Sequence, residues 1–314
     1  MTAIQTERLT KQYENGRGCR DVSITVQEGE AFGFLGPNGA GKSTFVKMLV
    51  GLIFPTEGRA SLFGEPVGSI AARRYIGYLP ELYRYQEWLT GEEVVRLHAR
   101  LCGLTRSEAG QRIPRLLDQV GIGLRSRDRV KNYSKGMQQR LGLACALVSD
   151  PKILFLDEPS SAMDPIGRSE VRQLLREWKA EGKTIFLNSH LMEDVESICD
   201  RVALLNNGEV LQQGRVEDVL RQRPLWRIKV GGFAPSMLDW LREETGLPIR
   251  MITAAPDGSA ELEAELAHEE QAGWLHALIL DLGMTLYESV RTRTRLEEWF
   301  VAELTGKSHR GEKE

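Results

Sequence analysis

Three things are scarce in this sequence: paired cysteines, long apolar stretches, and an excess of charge of either sign. The 314 residues include four cysteines, Cys19, Cys102, Cys145 and Cys199, and no Cys-x-x-Cys pair. Such spacing suggests neither a zinc site nor a disulfide framework. No uncharged apolar run approaches the ~18 residues needed to span a bilayer; the richest, residues 141–148, is far shorter. The opening Met-Thr-Ala-Ile-Gln-Thr-Glu-Arg has no apolar signal core. The expectation is a cytoplasmic protein whose membrane contact, if any, comes through a partner. Formal net charge is -3, so nothing favours the nucleic-acid backbone as main partner. There is no internal repeat and no low-complexity tract. The tail after Gly306 is charged and expected to fray.

What is present is ordinary globular material, 41% apolar and 27% charged. The length allows one large domain or two ordinary ones. Residues 22–35 and 59–63 read as short strands. From about residue 88 to 148 the pattern turns helical, with Leu89, Val94, Leu97, Leu101 and Leu104 near a 3.6 period. "KILFLDEP" and "TIFLNS" are unbroken apolar runs of the kind that form doubly buried strands. Amphipathic helices over "EVRQLLREWKAEGK" and "LMEDVESICD" follow them, and Asn207-Gly208 marks a hairpin. Strands alternating with helices predict an α/β core with a parallel sheet. Residues 88–148 would form a helical subdomain.

"RQRP", residues 221–224, reads as a boundary. Beyond it the order becomes βαββαβ plus one helix, which predicts a small ferredoxin-like α+β domain. Trp226, Trp240, Trp274 and Trp299 are expected to fill its core.

The chemistry concentrates in a few segments. "GPNGAGKST", from Gly36 through Pro37, Asn38, Gly39, Ala40, Gly41, Lys42 and Ser43 to Thr44, matches a phosphate-binding loop. Small residues let successive N–H groups curl inward around an anion, and the helix starting near Lys42 aims its positive end there. Lys42 can reach the β- and γ-phosphates, and Ser43 can ligate Mg²⁺. "ILFLDE" puts Asp157 and Glu158 at the carboxyl edge of a buried strand, where open α/β sheets bind ligands. Asp157 would hold Mg²⁺, directly or through water, and Glu158 could polarise an attacking water.

Together these segments resemble the ATP-binding subunit of an ABC transporter over roughly residues 3–222. The resemblance implies a P-loop ATPase with ATP and Mg²⁺ as cofactors. It makes Tyr13 the aromatic stacked on adenine. It makes Tyr133, Ser134, Lys135, Gly136 and Met137 the signature segment that meets another subunit's γ-phosphate. Here Lys135 replaces a usual glycine and Met137 a usual glutamine. Read without the family, this segment is an ordinary helix start capped by serine. Asp164 falls in the loop that crosses the dimer interface, and it can equally be a helix N-cap before Pro165. His190 matches the histidine that contacts the γ-phosphate and orders the water, completing a catalytic pair with Glu158. Glu81 stands where the family has a glutamine linking Mg²⁺ to the transmembrane partner. A carboxylate can still ligate Mg²⁺, but it adds negative charge.

The resemblance thus implies an ATPase domain over residues 1–223 and an accessory domain over 224–314. It implies partnership with a second nucleotide-binding subunit, identical or not, and with a permease. It places the chain peripherally, on the cytoplasmic face of the membrane, as a transport motor of the exporter type. The competing class is a soluble ABC ATPase acting as a regulatory or a ribosome- or DNA-associated switch without transport; those acting on ribosomes or DNA typically carry two ATPase halves or a long coiled-coil insert. Neither is present here.

Overall fold

The computed structural model describes residues 1–14, 16–220, 225–266, 268–292 and 296–304. The expected boundary at residues 221–224 and the tail after Gly306 lie outside them. The chain divides into two compact units, Met1–Val216 and Glu217–Glu314.

The first unit contains two sheets. One is antiparallel and combines β1 (Thr2–Gln12), β2 (Gly18–Val22), β3 (Thr25–Gln27), β5 (Glu57–Leu62) and β6 (Glu65–Pro66). The other contains β4 (Ala31–Leu35), β7 (Ile76–Leu79), β8 (Ile153–Asp157), β9 (Thr184–Asn188), β10 (Arg201–Asn206) and β11 (Glu209–Arg215). Its order is β11-β10-β4-β9-β8-β7, parallel throughout except for the β10–β11 hairpin. The helices are α1 (Lys42–Leu49), α2 (Ile70–Arg73), α3 (Gly91–Leu101), α4 (Arg106–Gln119), α5 (Lys135–Leu147), α6 (Pro165–Ala180) and α7 (Met192–Ile198); α8 (Val216–Leu220) starts at the last residue of this unit and continues into the second.

β4, β8 and β9 are buried at every residue, which is why their sequences run apolar without alternation. Register makes an aromatic ladder on one sheet face. Phe32 pairs with Phe186, and Phe186 with Phe155. Phe45 of α1 packs on Phe34 with ring centroids 4.8 Å apart. Such pairs add about 0.5–1.5 kcal/mol each beyond area burial. They seat α1, and with it the loop before it, over the carboxyl end of β4.

α3, α4 and α5 pack on one another as the helical subdomain. Capping boxes start α3 at Thr90/Glu93 and α4 at Thr105/Glu108. The buried stripe of α3 is Gly91, Val94, Val95 and Ala99. Leu101, expected on that stripe, is 76% exposed. It lies at the last residue of α3.

Where β7 passes α5 the backbones come unusually close. A Cβ on Gly77 would stand 2.2 Å from the Ala146 carbonyl oxygen and 2.7 Å from Pro151 Cγ. Neither neighbour is a flexible tip. Gly77→Ala should therefore destabilise the first unit by about 1–3 kcal/mol through overpacking. Urea denaturation checks this; an unchanged midpoint would mean the strand shifts at no cost.

The second unit contains β12 (Leu225–Gly231), α9 (Pro235–Thr245), β13 (Ile249–Ala254), β14 (Ala260–Glu265), α10 (Glu269–Asp281), β15 (Thr285–Thr292) and α11 (Leu296–Leu304). Its antiparallel sheet has the order β13-β14-β12-β15. That is the ferredoxin-like arrangement expected from the element order. Gly246, in the left-handed conformation, closes α9. The core is aliphatic, centred on Ile228, Val230, Leu241, Leu262, Leu275 and Ile279. Trp299 is buried and Trp226 packs against the core, but Trp240 and Trp274 are 40% and 44% exposed. The inward stripe of α9 runs through residues 237, 238 and 241, and that of α10 through 272, 275 and 279. Trp240 and Trp274 lie off those stripes. Among the described residues, no helix is long and apolar enough to cross a membrane.

Candidate functional site

The carboxyl ends of β4, β8 and β9 lie side by side, and the residues that follow them share one cleft of about 580 Å³. Its lining includes Tyr13, Asn38, Gly39, Gly41, Lys42, Ser43, Thr44, Glu81, Asp157 and Glu158. Arg17, Gly18 and Asn188 also line it, and sequence reasoning missed these three. Asn188 left one signal, a polar residue closing an otherwise apolar strand.

The loop after β4 depends on glycine. Gly36 has φ 157° and Gly41 φ 105°. A Cβ at either would stand 2.2 Å from a carbonyl oxygen, Leu205's or Gly18's. The loop therefore curls tightly before α1 begins at Lys42. The Lys42 ammonium donates to the Gly36 carbonyl at 2.7 Å and the Pro37 carbonyl at 3.2 Å. This places a cation at the centre of the curl. Burial pulls its pKa down, while Glu158, Asp157 and Glu81 push it up.

Asp157 ends β8 opposite Asn188 of β9 and is 3% exposed. Burial pushes its carboxyl up to about 6; the Asn188 hydrogen bond pulls down, and the Glu81 and Glu158 charges push further up. Asn188 Nδ2 donates to Asp157 Oδ1, while Asn188 Oδ1 is buried without a hydrogen-bond partner. The cleft thus combines carboxylates, a hydroxyl from Ser43 and an orphaned amide oxygen. These are hard oxygen donors, suited to a small divalent cation. Among the described residues, no group of three His, Cys, Asp or Glu forms a ready-made metal cage. The donor set therefore fits a cation held jointly with substrate phosphates.

Glu158 stands at the next position with φ 55°, left-handed for a non-glycine residue. Its Oε2 lies 2.6 Å from His190 Nδ1, and its Oε1 accepts from the His190 N–H at 3.0 Å. The two side chains act as one unit, with the imidazole 61% exposed and the carboxylate 12%. A strained residue held by two hydrogen bonds is a recurrent feature of functional sites.

His190 does not itself line this cleft and joins it through Glu158; residues 133–137 and Asp164 do not line it either. Ser134 caps α5, accepting from the Met137 N–H at 3.2 Å. α5 therefore begins at Lys135, directly after its serine cap. Tyr133 is buried and donates to the Arg125 carbonyl. Lys135 is exposed and Gly136 half-buried. Asp164 caps α6, accepting from the Gly167 N–H at 2.7 Å, with Pro165 as the first helical residue.

The sequence model of the ABC transporter family matches residues 19–161. A bacitracin transport ATP-binding protein of Bacillus licheniformis, BcrA, is 31% identical over 309 residues, covering 97% of this chain and 98% of that one. The chain belongs to the ABC transporter ATP-binding family. A Nod factor export ATP-binding protein of a Rhizobium species is 39% identical over 214 residues, or 68% of this chain and 70% of that one. A dimeric ATP-binding cassette, solved in a post-hydrolysis state with ADP and Pi, has 25% identity and a TM-score of 0.63. It covers 68% of this chain and 98% of its own. This ABC protein is an ATP-binding P-loop ATPase, and residues 36–44 form the loop that leads from the end of β4 into α1. BcrA matches the second unit as well as the first, whereas the other two matches cover about two thirds of this ABC protein.

Proposed function

We propose that this chain is the motor of a two-component ABC exporter, in which two nucleotide-binding subunits clamp two ATP molecules and drive a separate permease. One observation carries the reading most. The phosphate loop and the acid pair share a cleft, while residues 133–137 and Asp164 stand outside it. A site divided in this way needs a second subunit to complete it, in a head-to-tail sandwich with C2 or pseudo-C2 symmetry. The like-folded cassette solved as a dimer with ADP and Pi supports this. The relative named for Nod factor export supports the direction of transport.

The roles follow from the chemistry of each group. Tyr13 stacks on the adenine. Backbone N–H groups of residues 36–44 cradle the phosphates, and Lys42 neutralises them. Ser43 and Asp157, with Glu81 beside them, would hold Mg²⁺, whose charge would draw negative charge from the phosphate oxygens. Glu158 polarises the attacking water and takes its proton. His190, fixed by Glu158, contacts the γ-phosphate and orients that water. Residues 133–137 present the N-terminus of α5 to the partner's nucleotide, and Asp164 lies at the interface. ATP makes charge-assisted contacts across the two subunits and favours closure; hydrolysis removes them and favours opening. Residues 1–223 act as the ATPase and 224–314 as an accessory domain. The protein sits peripherally on the cytoplasmic face through its permease.

Purification in mild detergent tests the reading. Expressed with its neighbouring genes, the chain should co-purify with a membrane protein and hydrolyse ATP slowly. Recovery only as a soluble protein, with no membrane partner, would count decisively against the motor.

A further inference from the structure

We propose that Gln139 is a positioning residue: it holds the strained backbone of Glu158 and ties it to helix α5. The inference rests on the reading of Glu158 as the group that polarises water.

Gln139 lies in the second turn of α5, one turn after residues 133–137, and is 3% exposed. Its Nε2 donates to the main-chain carbonyl of Glu158. Its Oε1 accepts from the Ala162 N–H at 3.1 Å. One end meets an acceptor and the other a donor, so the amide orientation is fixed by its partners. A single side chain therefore spans the loop from Glu158 to Ala162.

The loop is also gripped elsewhere. The Glu158 N–H donates to the Asn188 carbonyl at 2.8 Å, and Ser161 Oγ donates to the Glu158 carbonyl at 3.1 Å. On the α7 side, buried Ser160 donates to buried Asp194, which Arg172 also engages at 3.1 Å. Gln139 differs from these ties in its origin. It comes from the helix whose N-terminus faces the partner's nucleotide in the proposed dimer. A shift of α5 relative to β8 must stretch or break its bonds, and the first group to feel this is the φ 55° peptide of Glu158. The tie thus links what α5 meets in the partner to the carboxylate in its own cleft. A merely buried polar residue has no need to bond two positions of that one loop.

Two substitutions separate this role from simple packing. Gln139→Leu removes both bonds. Gln139→Glu keeps the acceptor for Ala162 but sets oxygen against the Glu158 carbonyl. In the full chain, each should lower kcat about tenfold or more, with ATP affinity within about twofold of wild type. The decisive readout is the cycle with Glu158→Gln. If Gln139 acts through Glu158, Gln139→Leu should add nothing to the residual turnover of Glu158→Gln. Independent effects that multiply, a kcat within twofold of wild type, a joint fall of affinity and kcat, or failure of both variants to fold would each overturn the proposal. Glu158→Gln measured alone keeps the two claims apart. If it turns over at the wild-type rate, the reading of Glu158 falls. If it is dead while Gln139→Leu is unimpaired, only the positioning role falls.

Discussion

Glu158→Gln should nearly abolish hydrolysis while leaving ATP bound. The expected loss in kcat is about a hundredfold to ten-thousandfold, the range for a positioned general base, with ATP affinity within a few fold of wild type. The amide is the same size as the carboxylate, and its oxygen can accept from the His190 N–H as Glu158 Oε1 does at 3.0 Å. It cannot take a proton from water. Among the described residues, the bonds from Lys42 to Gly36 and Pro37 do not involve the Glu158 side chain. Binding and chemistry should therefore separate. If hydrolysis opens the dimer, as proposed, the variant should accumulate as an ATP-bound dimer on size-exclusion chromatography. Steady-state turnover with that elution profile checks the prediction. Wild-type turnover would remove Glu158 from the base role.

The parts of the molecule legible in the sequence are those whose cause is local. β8 and β9 are buried on both faces, so each reads as one apolar run ended by a polar residue. The phosphate loop needs glycine at fixed places because Leu205 and Gly18 carbonyls crowd it. Asn207-Gly208 turns the β10–β11 hairpin with φ 48° and 86°. The alternation of elements after residue 224 was enough to order the ferredoxin-like sheet. What the sequence hid depends on partners far along the chain. β1 mixes Gln, Thr, Glu, Arg and Lys, yet it is an eleven-residue strand, because β2, β3 and β5 all pair with it. Leu101, Trp240 and Trp274 are large and apolar but fall off the faces their helices bury. In the site, Asn188 owes its place to register with Asp157. Gln139 owes its place to a loop nineteen residues away. Neither relation leaves a local pattern.

Lys42→Ala should weaken ATP binding strongly. Three carboxylates act on this ammonium, those of Glu158, Asp157 and Glu81, and it is 9% exposed. An incoming triphosphate brings further negative charge into the same cleft. Removing the lysine leaves the phosphates facing those carboxylates without its compensation, and it strips the Gly36 and Pro37 carbonyls of a donor. Truncating one member of a buried, hydrogen-bonded charge pair costs about 2–5 kcal/mol, which is roughly a thirtyfold or greater rise in Kd. Glu81 sharpens the expectation. Where a neutral glutamine would stand, its charge adds to the repulsion, so Lys42→Ala combined with Glu81→Gln should recover part of the lost affinity. Isothermal titration with ATP, on the two single variants and the double, measures that coupling directly. An unchanged Kd for Lys42→Ala would mean that the backbone N–H groups hold the phosphates without help. Strict additivity of the two substitutions would mean that Glu81 does not act on the charge Lys42 balances.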